Sequence, residues 1–356
     1  MDSIKRAVNS FGLPRVIILA FFVFLLGMAA FYDLGIPALL GDVIRRWGMF
    51  GILVLAMVPA IQSGIGPNFG VSIGIIGGLL GSLISIEMRD MGYFEATANP
   101  EVVSVIIALI FAIVFAGIFG FLYGLLLNRV KGSELMVGTY VGFSAVALMS
   151  IAWMVLPFNH PGLRWPMGSG VRTTITLQAW YDQTLNRLWK FNIGSVEIPT
   201  GLLLTCALFC FLVWLHTRSR SGMMMEAAGS NPKFARFNGV IADHQRILGS
   251  ILTTVLGGFG IIIYSQGFGF YQLYSAPLMM AFPAVAAVLI GGATPNKITI
   301  FNVVFGTIVF QSLLSIAAPV AGVIFPEGNL AEVFRAIISN GVILYALSMI
   351  KEGKQG

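Results

Sequence analysis

The feature that most constrains this chain is a succession of about ten apolar blocks, each near twenty residues, separated by short polar joints. At 1.5 Å per residue, a helical block of that length covers a hydrocarbon core of roughly 30 Å. The chain therefore reads as an all-α polytopic membrane protein. Spans are expected at 15–33, 47–63, 69–87, 102–127, 135–157, 198–216, 247–265, 277–292, 299–320 and 332–350. Charged residues make up 10% of the chain, against roughly 25% in soluble domains. A single transmembrane domain over 1–356 follows, with no soluble module appended.

Charge bias orients the bundle. With the N-terminus inside, the cytoplasmic joints collect Lys5, Arg6, Arg15, Arg129, Lys131, Arg218, Arg220, Lys233, Arg236, Arg246, Lys297, Lys351 and Lys354, against only five acids. Both termini are therefore expected in the cytoplasm, with an even number of spans. The first block follows Lys5, Arg6 and Arg15 and runs too long for a signal peptide, so an uncleaved helix is expected there. Two joints are long. Residues 158–197 form an external loop carrying Trp165, Trp180 and Trp189, readable as a docking platform or as an interfacial aromatic belt. Residues 217–246 form a basic cytoplasmic loop.

The missing motifs exclude several chemistries. There is no GxxxxGK[ST] phosphate loop, no HExxH and no GxSxG. Cys206 and Cys210 sit four apart inside one apolar block, and His160, His216 and His244 are scattered, so no metal site and no cofactor bound by this chain is expected. The basic residues form no nucleic-acid patch. Ionisable residues are nearly absent from the spans, which argues against a self-powered secondary transporter or channel and leaves a membrane enzyme without a catalytic cluster.

Neutral polar residues remain: Gln62, Ser63, Asn68, Ser72, Gln266, Asn302 and Gln311, with Phe268 beside them in sequence order. They suit a pathway for a neutral, hydrogen-bonding solute, and equally suit hydrogen bonds between helices. The stretch Gly64-Ile65-Gly66-Pro67-Asn68-Phe69-Gly70 interrupts two apolar runs, reading either as a broken helix at a solute site or as a plain turn. Gln266 to Tyr271, before the span with Pro277 and Pro283, is a partial counterpart. An inverted repeat of two halves would fit, although the halves share no convincing residue-level similarity.

In the 217–246 loop, Pro232 can open a short helix capped by Asn231 and closed by Gly239. Two turns are too short to be stable alone, so the element is expected to dock on something. The run GMMMEAAGSNPKFARFNGV, through Gly222, Gly229, Asn231, Pro232, Ala235, Gly239 and Val240, resembles the coupling-helix region of permease subunits of ATP-binding-cassette importers. The matching branch handles simple sugars, autoinducer-2, nucleosides and branched-chain amino acids. Gly124 to Leu127 with Glu134 to Thr139 is similar to that family's link between its fourth and fifth helices. Ala286 to Ala293, followed by Gly306-Thr307, is similar to its sugar branch. The chain departs from that branch at Ser63 to Asn68, where sugar permeases commonly carry Gly-Gly-Ile-Asp-Leu-Ser, and Glu134 is similar to the nucleoside branch.

The resemblance implies a bacterial inner-membrane complex. It comprises a pair of ATP-binding subunits using ATP and Mg, a second permease chain (identical or paralogous) and an external solute-binding protein. It implies an ATPase-coupling loop through Glu226, Gly229, Asn231, Pro232, Ala235, Arg236 and Gly239. A simple sugar is the expected solute, with nucleosides, autoinducer-2 or branched-chain amino acids as alternatives.

Overall fold

The computed structural model describes residues 13–166, 170–295, 297–324 and 330–352. Each expected span has its helix. The first is α1 (Leu13–Phe31), followed by α2 (Ile36–Leu55) and its short continuation α3 (Met57–Gln62). Then come α4 (Val71–Asp90), α5 (Pro100–Arg129) and α6 (Glu134–Val155). After a long joint follow α8 (Thr200–Arg218), α11 (Ala242–Phe268), the paired α12 (Ala276–Met279) and α13 (Ala281–Ile290), α14 (Ile300–Ile324) and α15 (Leu330–Glu352). Among the described residues, seven helices are long and apolar enough to cross a membrane, counting Ile36–Gln62 as one. Val16–Phe31 and Ala276–Ile290 are shorter apolar helices.

The second span differs most from expectation: its helix starts eleven residues early. Pro37 sits in its first turn, where a missing N–H costs nothing. Asp42 then accepts from Arg46 Nε at 2.7 Å and from Arg45 Nη2 at 2.6 Å, the i+4 and i+3 neighbours on a helix. These charges, outside the expected 47–63 span, neutralise one another on one helical face. Further along, Pro59 cannot donate to the carbonyl four residues back, and the helix is interrupted at Ala56.

At the centre stand α4, α5 and α11, packed nearly backbone to backbone. A Cβ on Gly77 would lie 2.6 Å from Ala116 N, and one on Gly81 2.7 Å from Ala112 N. On the adjoining strip of the same face of α4, a Cβ on Gly74 would lie 2.6 Å from Thr254 Cα, and one on Gly78 2.7 Å from Gly258 Cα. Small residues at this spacing let helices approach in lipid, where apolar burial by itself gives no attraction. The approach permits hydrogen bonds between helices: Thr254 Oγ1 donates to Ala116 O at 2.8 Å and Ser250 Oγ to Gly120 O at 2.9 Å.

The long joint before α8 is folded on one end of the bundle, here called the cap. Its strand β1 (Thr174–Thr176) pairs antiparallel with β4 (Phe270–Gln272), which directly follows α11, in the register Ile175 to Tyr271. Between them come α7 (Thr184–Arg187) and a hairpin of β2 (Phe191–Ile193) and β3 (Val196–Ile198). Tyr181 and Tyr271 are fully buried with hydroxyls 3.2 Å apart, and burial raises both phenol pKa values, that of Tyr271 to about 12. Trp180 is buried and donates to Asp90 Oδ1 at 3.1 Å, whereas Trp165 and Trp189 are exposed. The three tryptophans therefore do different things: one anchors the cap to α4, and two face outward.

Candidate functional site

At the end of the bundle opposite the cap, residues 217–246 form an arm of two helices, α9 (Arg220–Ser230) and α10 (Pro232–Phe237). Each is started by a side-chain cap. Ser219 Oγ accepts from Gly222 N at 3.2 Å, and Asn231 Oδ1 accepts from Phe234 N at 3.0 Å, satisfying backbone donors that a helix start leaves orphaned. Pro232 opens α10, and Gly239, at φ 78°, follows its end in a conformation that suits glycine. Of the residues expected in the coupling loop, Ala235 is buried, while Glu226, Asn231, Pro232, Arg236 and Gly239 are exposed. Phe237 is 92% and Phe234 61% exposed, beside Lys233 and Arg236. The tip of the arm thus offers two aromatic rings and two cations.

Gly229 faces the other way. A Cβ there would lie 2.6 Å from Gly64 N, because α9 lies directly on the 63–70 break. Gly64 itself has φ 77°, and a Cβ on it would sit 2.9 Å from Gly229 Cα, so both backbones need glycine at the crossing. The break is consequently a tight turn at the arm end of the bundle. Ser63 Oγ donates to Ala60 O at 3.0 Å. Asn68 Oδ1 accepts from Gly70 N at 2.8 Å and from Tyr123 Oη at 2.7 Å. Ser72 is buried beside Gly142, and the buried Gln62 Oε1 has no hydrogen-bond partner among the described residues.

The remaining polar candidates separate from these four. Phe268 and Gln311 meet in a cleft of about 660 Å³ near the cap end, bounded by α2, α11, β4, α14 and α15. Its walls are aromatic: Tyr264 and Phe268 stack at 5.6 Å, and Phe270 meets Phe268 edge-on at 5.0 Å. Gln272, Gln311, Ser339 and Asn340 supply amide and hydroxyl groups, and Arg46 lies at the rim. Gln266 belongs to the packing. Its Oε1 accepts from Leu185 N at 3.1 Å and its Nε2 donates to Ile263 O at 3.1 Å. Asn302 likewise ties α14 to α13, accepting from Thr299 N at 2.8 Å and donating to Gly291 O at 2.8 Å.

The eight candidates therefore fall into three groups rather than lining one route. Arg46, Gln272, Ser339 and Asn340 were missed by sequence reasoning. The pair Tyr264 and Phe268, four apart on a helix face, was a legible signal for an aromatic wall. A smaller hollow lined by Arg45, Arg46, Gln183 and Phe268 adjoins the cleft. It shares Arg45 and Gln183 with an open hollow of about 440 Å³ beneath the β2–β3 hairpin.

Helices of membrane-crossing length, a cleft among them and an exposed two-helix arm are the architecture of a polytopic membrane protein. The family described as the permease component of the branched-chain amino acid transport system matches residues 39–347, and this chain belongs to it. It is similar to two proteins of Lactococcus lactis subsp. cremoris. One is the nucleoside ABC transporter permease protein NupB, at 27% identity over 37% of this chain and 35% of that protein. The other is the nucleoside ABC transporter permease protein NupC, at 27% identity over 38% of this chain and 41% of that protein. The match thus spans well under half the length of either relative. No solved structure matches the chain.

Proposed function

We propose that this chain is the membrane-spanning permease of an ATP-driven importer, and that its solute is a nucleoside. The observation that carries the first part is the arm: a short, capped helix with exposed Phe234 and Phe237 flanked by Lys233 and Arg236. Two exposed rings on a two-turn helix are unfavourable in water and suit insertion into a groove of a partner. The partner in this reading is a pair of ATP-hydrolysing subunits on the cytoplasmic side, which use ATP and Mg. A second permease chain and an external solute-binding protein that meets the cap complete the assembly.

The solute assignment rests on the cleft and on what the two Lactococcus relatives are named for. Stacked rings bind the π-face of a base, and amides beside them bind its edge and the ribose hydroxyls. The resemblance to sugar permeases has a different physical content. A Cβ on Gly291 would lie 3.0 Å from Gly306 Cα, so the Gly-Gly and Gly-Thr residues that carry it serve the packing of α13 on α14.

The test is solute-stimulated ATP hydrolysis by the reconstituted complex with its binding protein. Uridine or adenosine should stimulate it and ribose should not; stimulation by ribose alone returns the solute to the sugar class. Replacing Phe234 and Phe237 with alanine should abolish co-purification of the ATPase subunits while the permease still inserts. Retained co-purification would refute the docking role.

A further inference from the structure

One guanidinium holds the foot of the arm to three other parts of the bundle. Arg246, in the second turn of α11, donates from Nε to Asn128 Oδ1 at 3.0 Å and from Nη1 to Gly64 O at 3.4 Å. Its Nη2 donates to Leu127 O at 3.2 Å and to Glu134 Oε1 at 2.7 Å. The partners come from the 63–70 break, the end of α5 and the start of α6. The second oxygen of Glu134 accepts from Gly132 N at 2.9 Å, which fixes the α5–α6 turn on the same carboxylate. Both side chains are mostly buried, at 11% and 14% exposure. The surrounding contacts are polar too: Asn128 donates to Asp243 O at 2.9 Å, and Lys131 pairs with Asp243.

We infer that the Arg246–Glu134 pair is the latch through which displacement of the arm reaches the 63–70 break and the α5–α6 turn. The arm has two attachments to the break: the backbone crossing of Gly229 on Gly64, and Arg246 on the carbonyl of that same Gly64. The crossing is contact only and can push. The arginine adds directional bonds that can also pull, and it extends them to α6 through Glu134. A planar fork of five donors suits this task, whereas a lysine ammonium offers no fixed geometry for four acceptors. A partly buried ion pair contributes little net stability against a well-packed apolar pair, so positional specificity is the physical reason for one here. Both residues are positioning residues; neither faces the cleft.

This inference rests on the reading of the chain as an ATP-driven permease, and the experiment separates the two. Wild type, E134Q, R246K and the charge-exchanged double variant E134R/R246E are reconstituted with the ATPase subunits and the binding protein. Solute uptake and ATP hydrolysis are measured on the same vesicles. E134Q keeps volume and one acceptor, so assembly and unstimulated hydrolysis are expected to match wild type, while solute moved per ATP falls about tenfold. R246K should behave likewise. The double variant should not recover the ratio, because a carboxylate at 246 would face the Gly64 and Leu127 carbonyls without a donor; full recovery would overturn the role of those bonds. A merely structural role predicts instead that uptake and hydrolysis fall together with the yield of assembled complex. If R246K fails to assemble, E134Q alone decides. An unchanged ratio in E134Q overturns the latch; absence of solute-stimulated hydrolysis in wild type overturns the transporter reading instead.

Discussion

The two halves of α11 meet their neighbours in opposite ways. Toward α4 and α5 it presents Gly257, Gly258 and Thr254, and the helices close until backbones touch. Beyond Gly260, which packs closely against Leu53 of α2, it presents Tyr264 and Phe268, which wall a cleft of about 660 Å³. In water a glycine seam would be a weak interface, because glycine has no side chain to bury. In lipid the balance reverses, since close van der Waals contact and hydrogen bonds to carbonyls are what hold helices together. The lesson is a division of labour: small residues close a helix group without slack, and large flat residues wall a space beside it.

That comparison can be broken from either side. The largest effect is expected from Gly74→Leu, whose side chain would enter the backbone of Thr254. Overpacking at a seam without slack should leave no monodisperse protein on size-exclusion chromatography of detergent extracts, and a normal profile would show that the seam is loose. Next comes Phe268→Ala, which opens the cleft without touching the seam. Loss of one stacking face costs roughly 1–3 kcal/mol, so nucleoside uptake should fall by about tenfold to a hundredfold with expression unchanged. Unchanged uptake would move the solute elsewhere. The smallest effect belongs to Thr254→Val, which removes the bond to Ala116 O while keeping shape. Bonds of this kind average about 0.6 kcal/mol in bilayers, so only a small drop in thermal midpoint is expected, with transport intact.

Most of the helical framework was legible because block length and lipid thickness are directly linked. The short helix at the tip of the arm was legible too, since Asn231 and Pro232 act within a few residues of their own positions, whereas the Ser219 cap and α9 were not expected. What escaped depends on partners distant in sequence. The first eleven residues of α2 fell outside the expected span, and Asp42, Arg45 and Arg46, at helical spacing, neutralise one another there. The cap was expected only as an external loop, yet Ile175 finds its strand partner at Tyr271, across five helices. The polar candidates could not be sorted from sequence. Gln266 and Gln311 have the same chemistry, and only the surroundings decide that one bonds to Leu185 N while the other faces the cleft.

The 27-residue, unbroken course of α11 has a mechanical consequence. Arg246 stands near one end and Phe268 at the other, separated by about 33 Å of continuous helix at 1.5 Å per residue. A rod of that length tilted by about 5° around its Arg246 end carries Phe268 sideways by about 3 Å, close to the thickness of an aromatic ring. Because the glycine seam binds α4 and α5 to the same rod, the three would swing together. The aromatic wall would then shift against α14 and α15 without any side chain changing rotamer. Spin labels on the two ends of α11 and on α14 would register that swing as one changing distance and one constant one.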